Sequence, residues 1–219
     1  MPRGPVPSSP LNVEAFKAEN VHGYLHKAFG GVGDGMVLTH GAGGNCESPL
    51  LVAISEAFQN ASVTVLRCNL PFRQRRPTGP PRPSDAAGDR AGLKSAVAAL
   101  KRLVGGRITL SGVSYGGRQA SILAANEPDL VEALMLFSYP LHPPGKPTEL
   151  RTAHFSEIRT RLLFVQGSKD SLGSIPEMEN ALRTISAPHA PVVVEDAGHD
   201  LKRGRFDFDP VIRADLCLR

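Results

Sequence analysis

The feature that most constrains this chain is a sustained alternation of short apolar runs with segments of helical spacing. "MVLTH" (Met36–His40), "VTVLR" (Val63–Arg67), "RITLSG" (Arg107–Gly112), "ALMLFSY" (Ala133–Tyr139), "RLLFVQG" (Arg161–Gly167) and "PVVVEDA" (Pro191–Ala197) read as strands. Near-continuous apolar runs of this length mark strands buried on both faces. Between them lie helical segments. Ser48–Ala61 sets Leu51, Ile54 and Phe58 on one face, and Pro83–Val104 is alanine-rich with Ser84 or Asp85 as its N-cap. Tyr115–Asn126, Ile175–Ile185 and Pro210–Leu218 complete the set. Parallel strands need a crossover, usually a helix, and this order supplies one. The chain therefore predicts an α/β fold: a mostly parallel central sheet with helices on both faces. In such sheets, ligand sites form at the carboxyl ends of the strands.

At 219 residues, with no internal repeat, the chain fits one domain. Residues 1–20 read as a flexible N-terminal tail and lead-in, and 21–219 as the domain. "MPRGPVPSSP" is proline-rich and polar, without the apolar stretch of a signal peptide, and no run approaches the ~20 apolar residues of a membrane span. The three cysteines are scattered with no C-x-x-C, which fits a reducing, cytoplasmic setting without disulfides or zinc. A net charge of +4 is mild and does not demand nucleic acid.

Within this frame, "LSGVSYGGRQAS" places Ser114 between Gly112 and Gly116, after a strand and at the start of a helix. A sharp strand-to-helix turn needs small residues on either side of its serine, and the helix N-terminus favours developing negative charge. A capping serine is the plainer alternative. A serine hydroxyl needs a base. His199, in "EDAGHDL" after the last predicted strand, reaches the same edge, whereas His189 precedes that strand and belongs to the opposite edge. His22 and His26 are four apart in a strand-like segment with no H-E-x-x-H helix, so no metal site is expected. Asp170, in "FVQGSKDSLG", follows a strand and suits the carboxylate that orients an imidazole. Asp196 and Asp200 read as loop and capping residues. The backbone N–H of Tyr115 and that of Ala42, in "THGAGGN", are the expected oxyanion donors.

With these residues assembled, the chain resembles the α/β-hydrolases, whose nucleophile, acid and base follow in the order Ser114, Asp170, His199. "VLTHGAGGN", "GVSYGGRQAS", "FSYPLHPPGKPTELRTAHF", "LLFVQGSKDSLG" and "VVVEDAGHDL" resemble a small lidless branch. That branch includes testis-expressed protein 30, the hydrolase-like domain of the third subunit of the nonspecific-lethal complex, and bacterial hydrolases. The resemblance runs from about Val21 onward. The wider superfamily includes dienelactone-hydrolase-like enzymes, which carry a cysteine where this chain has Ser114. It implies an α/β-hydrolase fold without a large lid. It also implies a serine hydrolase that needs no cofactor and acts on a small ester, thioester or lactone. Some members of the branch look like scaffolds, so a non-catalytic interaction domain is the competing reading and a protein partner stays open.

The loop "RCNLPFRQRRPTGPPRPSD" (Arg67–Asp85) should lie at the active edge. Its prolines make it stiff and unsuited to helix. Arg75 and Arg76 are candidates to receive an anionic group of the substrate, with His40, Asn69 and His142 as further substrate-binding candidates. A solvated basic loop is the alternative. Apart from Phe72 this stretch lacks interleaved aromatics, so neither a nucleic-acid partner nor a membrane is expected. Arg118, one turn past Ser114, is expected to have a structural role.

Overall fold

The computed structural model describes residues 12–29, 33–201 and 207–217. Eight strands form one sheet in the order β1-β2-β4-β3-β5-β6-β7-β8. They are β1 (Val13–Ala18), β2 (Val21–His26), β3 (Gly35–Thr39), β4 (Thr64–Cys68), β5 (Ile108–Val113), β6 (Ala133–Phe137), β7 (Arg161–Gly167) and β8 (His189–Val194). From β4 to β8 all pairs are parallel, while β1–β2 and β2–β4 are antiparallel. The helices are α1 (Pro49–Asn60), α2 (Pro71–Arg75), α3 (Ala86–Lys101), α4 (Tyr115–Asn126), α5 (Ile175–Leu182) and α6 (Asp209–Cys217).

The buried strands alternate their side chains between two cores, one on each face. Val37, Leu110, Leu134, Leu136, Leu162 and Phe164 join the core closed by α3, α4 and α5. Met36, Leu38, Met135, Phe137, Leu163 and Val165 join the one closed by α1 and α6. Each fully buried Leu, Val or Phe stabilises the fold by roughly 1.5–3 kcal/mol relative to exposure. The central strands are mostly apolar because both faces are covered, and their few polar side chains, such as Thr39 and Ser111, hydrogen-bond to backbone carbonyls.

Two sequence expectations need correction. The lead-in is not all tail: Val13–Ala18 pairs in register with Val21–His26. Its sparse pattern, mostly exposed, is that of an edge strand rather than a core strand. The tail proper, Met1–Pro10, lies outside the described residues. The proline-rich loop does hold a helix. Pro71 occupies the first turn of α2, where the missing N–H costs nothing and the fixed φ suits the helix. Asp85 stands at the N-cap of α3 but makes no side-chain capping bond there. It accepts from Arg82 N instead, at 2.7 Å.

Beyond β6, residues 138–160 contain only the single 3-10 turn Phe155–Glu157, so no lid covers this edge of the sheet. Among the described residues no helix is long and apolar enough to cross a membrane.

Candidate active site

The chain leaves β3 toward β4 on one side, while β5 lies on the other. Loops from these neighbouring strands therefore part at their carboxyl ends and open a crevice. Ser114 sits there, between β5 and α4, with φ 50° and ψ −115°. That backbone geometry is strained for a residue with a side chain. It is held by Ser114 N–H to Phe137 O (2.8 Å) and by Arg118 N–H to Ser114 O (2.9 Å). A methyl group on Gly112 would meet Gly116 C at 2.6 Å, and one on Gly116 would meet His40 O at 2.5 Å. Both contacts are with backbone, so the two glycines are what let this turn close.

His199 Nε2 lies 2.8 Å from Ser114 Oγ. Its Nδ1 lies 2.8 Å and 3.0 Å from the two carboxylate oxygens of Asp170. The Asp170 side chain is completely buried, and His199 is 29% exposed. With the carboxylate accepting from Nδ1–H, Nε2 is free to accept from the serine hydroxyl. Asp170 is itself held by Leu172 N–H (2.8 Å) and Gln166 Nε2 (2.8 Å). The amide of Gln166 also accepts from Tyr139 N–H at 2.9 Å, so its orientation is set from both ends. The acid and histidine loops are stitched together by Lys169 N–H to Ala197 O and Asp196 N–H to Ser168 Oγ, each 2.9 Å. Asp196 pairs with Lys169 rather than with His199.

The β3–α1 loop passes directly over the serine, for a methyl on Gly41 would meet Ser114 Cβ at 3.3 Å. His40 is fully buried and its ring works on this loop. Nε2 accepts from Leu70 N–H at 3.1 Å, so Nδ1 carries the proton and donates to Gly41 O at 2.8 Å. Burial, with the Arg73 cation adding to it, lowers the His40 pKa to about 4. The next carbonyl, Ala42 O, accepts from Arg73 Nη2 at 2.9 Å. Arg73 is buried and also donates to Gly44 O, Arg76 O and Gly79 O. Across a planar trans peptide the N–H points opposite to the C=O. Fixing the Gly41 carbonyl therefore fixes the direction of the Ala42 N–H, and fixing Ala42 O holds the next peptide of the loop. Ala42 and Tyr115 both line the cleft beside Ser114, which has a volume of about 730 Å³. The Tyr115 hydroxyl donates to Asp89 Oδ2 at 2.8 Å, and Asp89 Oδ1 accepts from Phe72 N–H at 2.9 Å. That buried carboxylate ties the start of α4 to α2.

The structure thus brings Ser114, Asp170, His199, Ala42 and Tyr115 together. The further substrate-binding candidates lie elsewhere. His40 is a buried brace, as described. Asn69 Oδ1 accepts from Cys46 N–H at 2.8 Å and steadies the same loop. Arg75 and Arg76 both pair with Asp85, and neither lines the cleft. His142 is 5% exposed, with Nδ1 on Pro143 O and Nε2 facing Glu177. Each of these side chains is engaged by its own or a neighbouring segment, which position along the chain alone could not reveal. Arg118, expected to be structural, lines the cleft with Arg82, Arg90 and Arg151. Sequence reasoning missed the bracing roles of Arg73 and Asp89, whose partners lie far along the chain, and of Gln166, whose amide holds Asp170 four residues on.

Residues 33–207 match the family model described as an alpha/beta hydrolase domain. The chain belongs to the α/β-hydrolases. The turn with Ser114 and the loops with Asp170 and His199 stand in the serine, acid, histidine order usual for α/β-hydrolases. The fold is similar to that of dienelactone hydrolase from Anabaena variabilis, with 19% identity over 94% of this chain and 95% of that one and a TM-score of 0.69. It is similar to an alpha-beta serine hydrolase homologue from Coxiella burnetii, at 19% identity over 96% and 97% of the two chains and a TM-score of 0.70. The α/β-hydrolase GrgF from Penicillium sp. sh18 superimposes with a TM-score of 0.75 at 15% identity, over 96% of this chain and 98% of that one. At such identities the likeness speaks for the fold, and this hydrolase's chemistry has to be argued from its own residues.

Proposed function

We propose that this protein is a serine hydrolase that acts on a small ester, thioester or lactone through an acyl-enzyme. The observation that carries this reading is the continuous chain from Ser114 Oγ through His199 to buried Asp170, with both links at 2.8 Å. As Ser114 Oγ attacks the carbonyl, its proton passes to His199 Nε2, and Asp170 stabilises the imidazolium without taking a proton. The carbonyl electrons move onto oxygen, where Ala42 N–H and Tyr115 N–H are the donors, beside the N-terminus of α4. His199 returns the proton to the leaving group as the acyl bond to Ser114 is completed. Water, deprotonated by the same His199, then releases the acid and restores Ser114. The unlidded cleft suits small substrates over long acyl chains. The buried free thiols of Cys46 and Cys68 fit a reducing cytoplasm.

The test is turnover of 4-nitrophenyl acetate and a matched thioester. Wild-type protein should hydrolyse at least one of them. Asp170→Asn should lower kcat on the order of 10³-fold or more, because the imidazole loses its orienting acceptor. Wild type inert toward both, or Asp170→Asn as fast as wild type, would overturn the reading.

A further inference from the structure

The walls of the cleft beside Ser114 donate hydrogen bonds and offer no carboxylate. Arg82, Arg90, Arg118 and Arg151 line it, and among the described residues no aspartate or glutamate does. Arg118 follows Ser114 by one turn of α4, a rise of about 5.4 Å. Its Nε is buried and has no hydrogen-bond partner among the described residues. Next to it, Gln119 is 0% exposed and lines the same cleft. Its Oε1 accepts from Arg90 Nη1 at 2.8 Å, which fixes the amide orientation, yet its Nε2 also lacks an acceptor among the described residues. Arg151 comes from the β6–β7 segment on an anchored backbone. Its N–H donates to Leu141 O and its carbonyl accepts from Tyr139 Oη, each at 2.7 Å. Glu149, the acid that acts electrostatically on Arg151, is held by Lys146 at 2.8 Å. Burial, and then the neighbouring Arg118 charge, push the Arg151 pKa down. The same two causes lower the pKa of His154 to about 4, which keeps that imidazole neutral beside the two arginines.

Buried donors without acceptors cost free energy, and an acceptor-only anion relieves that cost. A carboxylate meets a guanidinium fork with two bonds at once. The leaving group must lie toward His199, which gives it a proton. This cleft is lined by Ser114 but not by His199, which makes it the acyl side. We infer that Arg118, Arg151 and Gln119 form a carboxylate subsite, so that the preferred substrates are short esters or thioesters with a free carboxylate on the acyl portion. The inference rests on the serine-hydrolase reading and narrows its substrate class.

The experiment compares mono-4-nitrophenyl glutarate with 4-nitrophenyl valerate, with spontaneous hydrolysis subtracted. Wild type should favour the glutarate at least tenfold in kcat/KM. Arg118→Gln and Arg151→Gln should each lower that ratio at least fivefold, and Arg118→Lys, which keeps the charge and loses the fork, should fall between. A wild-type ratio near one, or a ratio that neither variant moves, would overturn the subsite. If wild type hydrolyses neither ester, the hydrolase reading fails, and the subsite is read separately by calorimetry of glutarate with Ser114→Ala. Heat that disappears in Ser114→Ala/Arg151→Gln supports the subsite, and an absence of heat in Ser114→Ala overturns it.

Discussion

The loop that leaves β4 and the cleft wall built on α4 are both rich in arginine, and they use it in opposite ways. In the first, the cations other than Arg82 are spent. Arg73 serves four carbonyls, Arg67 donates to His26 Nε2 at 2.8 Å and to Cys46 O, and Arg75 and Arg76 share Asp85. In the second, Arg118 and Arg151 have neither a carboxylate partner among the described residues nor full access to water. A count of cations along a loop says little about where an anion binds. What decides is which guanidiniums already have acceptors.

That contrast can be broken most severely at Arg73. Arg73→Leu leaves four part-buried carbonyls without this donor, at about 1–3 kcal/mol for each one that water cannot reach. We expect a loss on the order of 3–5 kcal/mol in urea unfolding, with reduced ester turnover because the β3–α1 loop is released. A variant as stable as wild type would show that Arg73 does not brace that loop.

The companion brace, His40, gives a pH signature. Its folded pKa is about 4, below the ordinary 6.5. Between these values the unfolded chain binds a proton that the folded one does not. The His40 contribution is therefore whole above pH 6.5 and is lost as pH falls toward 4. At most this is about 3 kcal/mol. Unfolding midpoints measured from pH 7.5 to 4 should fall, and the slope should flatten in His40→Asn. His26, lowered to about 4 mainly by burial, adds in the same direction.

The cleft arginines should behave otherwise. Arg118→Gln is expected to melt within about 1 kcal/mol of wild type, or above it, since it removes one of two neighbouring cations from an empty cleft. A loss comparable with Arg73→Leu would make Arg118 a scaffold residue. The smallest effect belongs to Arg75→Ala/Arg76→Ala. Arg75 is 56% exposed and Arg76 30%, and pairs this open to solvent contribute little. The double variant should keep the wild-type preference between acidic and neutral esters.

Much of the fold was legible because it is written locally. The apolar runs that became β3 to β8 and the longer helices α1, α3, α4 and α5 between them follow from periodicity. Ser114, Asp170 and His199 could be found because each follows a strand, and strand ends in a parallel sheet share an edge. β1 was hidden by its exposed, sparse pattern, and α2 by the habit of reading proline as a breaker when it stood at the first turn. The arginines were misassigned for a different reason. Whether a guanidinium is satisfied depends on carbonyls such as Gly44 O and Ala42 O, some thirty residues away along the chain. No pattern within a loop encodes that pairing. Asp89 escaped notice for the same cause, its partners Phe72 and Tyr115 lying 17 and 26 residues away.

The most direct measurement is labelling of the purified protein by a fluorophosphonate, beside Ser114→Ala and His199→Ala. The account predicts stoichiometric modification of wild type at Ser114, none in Ser114→Ala, and a rate reduced at least a hundredfold in His199→Ala. Folded wild-type protein that resists the probe, or His199→Ala that reacts as fast as wild type, would contradict it.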